Sequence, residues 1–155
     1  MKKLLSVLLT LCLLCTAAAL AETVLTLDDM PAVVLEDDNT TVELSAFNGS
    51  WIGDKFFVGE THVDAETMAA SYGISVPAFR IEDGILYYTD ESGEGGAVQN
   101  GYACVFEAGQ LQGEIEGVQF CIDTLEDGNI VMSVFQKGEN EEVICVSIFM
   151  VRAEA

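Results

Sequence analysis

From Ser45 to the C-terminus the chain is a succession of short apolar runs, each cut by two or three residues drawn from Gly, Asp, Asn and Glu. A chain punctuated this often buries its apolar residues as short strands, because a helix needs a longer uninterrupted period. "GSWIGDKFFVGE" reads as a first strand, and "VPAFRIEDGILYYTDE" as two strands folded about Glu82-Asp83-Gly84, where Asp-Gly supplies the positive φ angles of a tight hairpin. The stretch from Ala97 to Arg152 divides at Ala108-Gly109, Glu116-Gly117, Glu126-Asp127-Gly128-Asn129 and Gly138-Glu139-Asn140, which adds five more strands. Eight consecutive strands with short connections predict an all-β fold, an up-and-down antiparallel meander that curls until its edges meet in a barrel. An open β-sandwich is the rival arrangement.

One segment departs from this rhythm. In "THVDAETMAASYG" Ala65, Met68, Ala69 and Tyr72 fall at helical spacing, Asp64 stands where an N-cap belongs and Gly73 where a helix ends. The spacing predicts one short helix over residues 64–72, between strands 1 and 2. Within the strands, Phe79 and Ile81, then Val118, Phe120 and Ile122, then Ile130, Met132 and Val134, then Ile144, Val146, Ile148 and Met150 each repeat at period two. Those faces are expected to point inward.

The N-terminus has a different character. Lys2 and Lys3 precede a leucine-rich stretch that ends in Ala19-Leu20-Ala21, the composition of a secretory leader cleaved after residue 21. Its apolar run is shorter than the roughly 20 residues a membrane span needs, so the expectation is an exported protein. Residues 22–44 mix acidic pairs with a proline and read as an acidic linker, leaving 45–155 as one barrel domain. Without Lys2 and Lys3, four basic residues (Lys55, Arg80, Lys137 and Arg152) face 26 acidic ones, a formal charge of −22. Such a surface repels phosphate backbones and anionic lipid, which argues against nucleic acid and acidic membrane surfaces as partners. Three cysteines remain beyond the leader, Cys104, Cys121 and Cys145, so at least one lacks a partner within the chain. Three buried thiols are preferred over one disulfide and one thiol, since so apolar a chain needs no staple.

Eight up-and-down strands, a preceding turn, Gly49-Ser50-Trp51 on the first strand and Arg152 closing "SIFMVR" on the last make a chain that resembles the lipocalin-like (calycin) barrels of the secreted bacterial type over residues 45–152. The resemblance implies that Trp51 closes the barrel floor, that Arg152 packs across its ring, and that Gly49 leaves room for the neighbouring chain. It further implies a small apolar ligand, with the helix of residues 64–72 standing where the family has its lid. The Thr-Asp-Tyr motif many lipocalins carry after the sixth strand is replaced here by "IDTLEDGN".

Catalytic signals are sparse. His62 is the only histidine and is expected in the loop before the helix; Ser71 and Ser75 lie near it without an orienting third group. Asp37-Asp38 and Glu141-Glu142 read as solvated faces, and "DESGEGG" lacks the alternating carboxylates of a calcium loop. The expectation is a non-enzymatic protein with no cofactor and no metal, binding a small apolar ligand in or at the barrel mouth. Candidate lining residues are Phe57, Met68, Tyr72, Phe79, Tyr87, Phe106, Phe120 and Met132. The alternative is a barrel filled by its own side chains that binds a protein or glycan.

Overall fold

The computed structural model describes residues 33–34, 40–58, 61–73, 75–90, 98–137 and 143–153. The expected leader, most of the expected linker with Asp37-Asp38, residues 91–96 of "DESGEGG" and the Glu141-Glu142 pair lie outside them.

A short 3-10 turn, Leu44–Phe47, leads into β1 (Gly49–Val58) and β2 (Thr61–Asp64); α1 (Ala65–Tyr72) follows. Then come β3 (Ala78–Glu82), β4 (Ile85–Asp90), β5 (Val98–Ala103), β6 (Val105–Glu107), β7 (Gln110–Ile115), β8 (Val118–Thr124), β9 (Ile130–Lys137) and β10 (Val143–Arg152). One antiparallel sheet runs β5-β4-β3-β1-β10-β9-β8-β7-β6, with β2 also paired to β1. Its two ends, β5 and β6, are consecutive in the chain, and β5 runs beside β7, so the sheet forms a nearly closed antiparallel barrel with one short helix.

Ten strands stand where the punctuation predicts eight, for two local reasons. The strand expected over 97–107 bends at Cys104: its first part pairs with β4, its last three residues with β7, and the Cys104 N–H still reaches the Gly84 carbonyl at 2.8 Å. Gly84 is the second residue of the two-residue β3–β4 turn, where Asp83 (φ 48°) and Gly84 (φ 77°) take the paired left-handed angles of a type I′ hairpin. The second addition is β2, which pairs Thr61–Asp64 with Val58–Lys55 on the same side of β1 that carries β3 farther down. His62 therefore sits in a strand rather than a loop. Helix α1 is inserted between β2 and β3, ending at Gly73 in the left-handed conformation (φ 63°). Asp64 occupies its N-cap position, but its side chain makes no capping hydrogen bond.

A bulge in β1 sets which side chains enter the barrel. Gly53 pairs with Met150 and Lys55 with Phe149, so Asp54 is an extra residue and the inward parity shifts by one. Trp51 and Phe56 thus both join the interior cluster, while Phe57 turns outward. The interior cluster also takes in the period-two faces of β3, β8, β9 and β10, together with Phe47, Val42, Ala65 and Met68. The Ile144 side chain lies outside the described residues. A second cluster of Phe57, Leu125, Val131 and Phe149 lies on the outer face, with Val33 and Val151 packed against it. Val33 reaches it by bridging to Leu125, and the Val34 N–H donates to the Thr124 carbonyl at 2.9 Å.

Candidate functional site

The two ends of the barrel are built differently. At the floor, Trp51 is fully buried and its indole N–H donates to the Phe47 carbonyl at 2.8 Å, which pins the 3-10 turn under the ring. Trp51 pairs with Arg152 across β1 and β10, and the guanidinium carbon lies 4.4 Å from the ring centroid. The same guanidinium donates to the Asn48 carbonyl at 3.0 Å and the Ala46 carbonyl at 3.5 Å. A planar fork can satisfy two carbonyls while lying flat on an indole, which a lysine cannot. Gly49 makes the stacking geometry possible: its φ is 147°, and a Cβ there would stand 2.5 Å from Arg152 Nη1. Asn48 ties this end to the β3–β4 hairpin, accepting from the Asp83 N–H at 3.0 Å.

At the mouth, α1 lays Ala65 and Met68 on the interior cluster. Ile81, Leu86, Leu111, Ile122, Ile130 and Met150 are fully buried. Partly buried apolar residues pack on the same cluster at both ends: Leu44, Tyr102 and Cys104 by the floor, and Val63, Val76, Tyr88, Ile115 and Val118 away from it.

The candidate lining residues divide. Met68, Phe79, Phe120 and Met132 meet in the interior cluster. Phe57 does not: the Asp54 bulge places it on the outer face, 5.4 Å from the His62 ring. Tyr87 is also on the outside, stacked under the Arg80 guanidinium at 4.6 Å, because the inward positions of β4 are Leu86 and Tyr88. Arg80 in turn pairs with Glu82. Phe106 belongs to the floor, edge-on to Phe47 at 6.0 Å. The Tyr72 side chain lies outside the described residues. Tyr88 and Ile115, which sequence reasoning passed over, join Val118, which it faced inward without naming as lining; alternation from Leu86 was the signal for Tyr88.

The polar chemistry near these walls is quiet. Ser71 bonds back to the Thr67 carbonyl within α1 at 2.8 Å. Cys104, Cys121 and Cys145 are all unpaired; Cys104 and Cys121 are half-buried, whereas Cys145 is exposed instead of buried as expected. Burial pushes the Cys104 thiol up, partly offset by a backbone hydrogen bond from Leu86. Burial also pushes Cys121 up, to about 11, with Asp123 and Cys145 adding repulsion. Both stay protonated at neutral pH and are poor nucleophiles there. Among the described residues no group of three or more His, Cys, Asp or Glu is placed to hold a metal, and no helix is long and apolar enough to cross a membrane. No family model, curated protein or solved structure matches the chain.

Proposed function

We propose that this is an exported, non-enzymatic, lipocalin-like protein that takes a small apolar molecule at the barrel mouth, beside α1. The partial burial of Val63, Val76, Tyr88, Ile115 and Val118 carries the reading: these apolar side chains pack on the interior cluster, with Met68 of α1 among its members, and keep some contact with water. Because the cluster is fully or nearly fully buried as far up as Phe120 and Val146, the ligand sits at the rim, on Tyr88, Ile115, Val118 and Met68, and not down at Trp51. Trp51 reports on occupancy from the floor.

The test is a titration of the mature chain with a panel of fatty acids, fatty alcohols and an environment-sensitive dye, reading Trp51 emission and melting temperature. A ligand at a hundred times its Kd stabilises by about 2.7 kcal/mol, well within reach of a melting experiment. Val118→Glu, at the rim and away from the floor, is expected to abolish the response while leaving the unliganded fold intact. A panel that moves neither emission nor melting temperature overturns the proposal in favour of the filled barrel that binds a protein or glycan.

A further inference from the structure

The mouth brings two neutral polar side chains to the inner face of the barrel. Tyr88 on β4 packs half-buried on the interior cluster, and its cross-strand partner is Asn100 on β5. Directly opposite residues share one face of a sheet, so Asn100, also half-buried, lies on the inner side with Tyr88. β5 is one end of the sheet path and runs beside β7, which puts this pair at the seam of the barrel, on the side of Ile115. One ladder step deeper, the Phe120 ring lies across Gly113, where a Cβ would stand 2.5 Å from it, so the interior is filled below Ile115 and Val118.

We propose that the mouth selects its ligand by charge: it takes a neutral amphiphile, an alkyl chain ending in a hydroxyl, ester or amide, and rejects the carboxylate of the same length. The inference rests on the mouth being the ligand site. Every described cationic side chain is engaged elsewhere. Lys55 lies on the outer face, beside Asp54 and over the Phe149 ring. Arg80 is outside as well, on Tyr87 and paired with Glu82, and Arg152 is bound at the floor. The His62 ring sits against Phe57 of the outer cluster, and the Lys137 side chain lies outside the described residues.

Among the described residues Thr124 is the one buried polar or charged residue, so nothing within the barrel compensates a charge carried inward. A carboxylate brought to Tyr88 and Asn100 loses part of its hydration, meets no cation, and works against the formal charge of −22. An ammonium fares little better at that depth. Glu66 on α1, and Glu114 and Glu116 on either side of Ile115, are exposed, and an ion pair formed in water contributes little. A neutral head suits the pair, because a phenol hydroxyl and a carboxamide can each donate and accept a hydrogen bond.

The test compares three ligands of one chain length, decanol, decanoate and decylammonium, at neutral pH and below micelle formation. Binding to the full chain is read by titration calorimetry and by Trp51 emission. Decanol is expected to bind about tenfold or more tightly than either ion. Tyr88→Phe, which keeps the ring, and Asn100→Leu are each expected to weaken decanol about two- to tenfold, the worth of one hydrogen bond. Asn100→Lys is expected to strengthen decanoate about tenfold or more, a gain that damage to the fold cannot produce. Circular dichroism of each variant separates a lost contact from a lost fold. Decanoate or decylammonium binding as tightly as decanol overturns the charge selection while leaving the mouth as the ligand site. A preference for decanol that folded Tyr88→Phe and Asn100→Leu chains keep in full overturns the role of this pair, and silence from all three ligands overturns the mouth reading itself.

Discussion

At the scale of the residue, the floor is a three-way contact in which each part depends on the others. The guanidinium of Arg152 rests on Trp51 and bonds two carbonyls, and it can do so because residue 49 has no Cβ. Trp51→Ala is expected to cost about 3–5 kcal/mol, the range for removing a buried aromatic. A loss below about 1 kcal/mol, as on a surface, is the result that removes Trp51 from the floor. Gly49→Ala tests the coupling more sharply. The added methyl displaces Arg152 and strains a backbone at φ 147°, so it destabilises the native chain by both routes. In an Arg152→Ala background only the strain remains, and the cycle is expected to show a coupling of about 0.5–3 kcal/mol in urea unfolding. Additive losses show that the two positions act independently. The pairing of Trp51 with Arg152 was legible in the sequence from the resemblance, since 101 residues of chain separate them and no local pattern links them.

At the scale of the element, a single extra residue decides the inner face of β1. Counting in twos from Trp51 points to Phe57 as an interior residue, but the bulge at Asp54 exchanges the roles of Phe56 and Phe57. Alternation cannot reveal a bulge, because an inserted residue changes parity without altering composition. By contrast the described inward residues of β3, β8, β9 and β10 keep period two and were legible in the sequence. Deleting Asp54 is expected to leave Phe56 inward and Phe57 outward, because the Gly53–Met150 and Lys55–Phe149 pairs then become consecutive and the ladder turns regular. The loss should stay below about 3 kcal/mol, since only the local bend and twist of the bulge are removed. Asp54→Ala keeps the bulge and removes only an exposed pair with Lys55 at 3.6 Å, so its effect should stay within about 0.5 kcal/mol. Thermal melts of the two variants check this; a deletion that unfolds the domain while Asp54→Ala does not counts against Asp54 as the extra residue that sets the parity.

At the scale of the molecule, hairpin punctuation was enough to predict an antiparallel barrel, because Asp83-Gly84, Ala108-Gly109 and Glu116-Gly117 all adopt the left-handed pairs that force neighbouring strands together. The manner of closure was not legible: a strand that changes partners at Cys104 leaves no gap in its apolar pattern, and β2 is too short to show a period. The mouth was half legible, with Met68 expected from helical spacing and Tyr88 hidden beside an equally plausible Tyr87. The part played by the segment before residue 45 was least legible, because its acidic pairs dominate its reading as a linker while its few apolar residues make the contacts. Val42 lies in the interior cluster and Val33 bridges to Leu125 over the outer one. These contacts make Val33, Val34 and Val42 part of the folded unit in energetic terms. Val33→Asp in the full chain places a carboxylate against Leu125, Val131 and Phe149, and is expected to cost about 1–3 kcal/mol. Urea unfolding should show a lower midpoint with an unchanged slope, since the amount of surface exposed on unfolding hardly alters. If the midpoint does not move, the Val33 bridge contributes nothing and the barrel stands without its N-terminal strap; if it falls, a chain shortened to begin at residue 40 must lose at least as much.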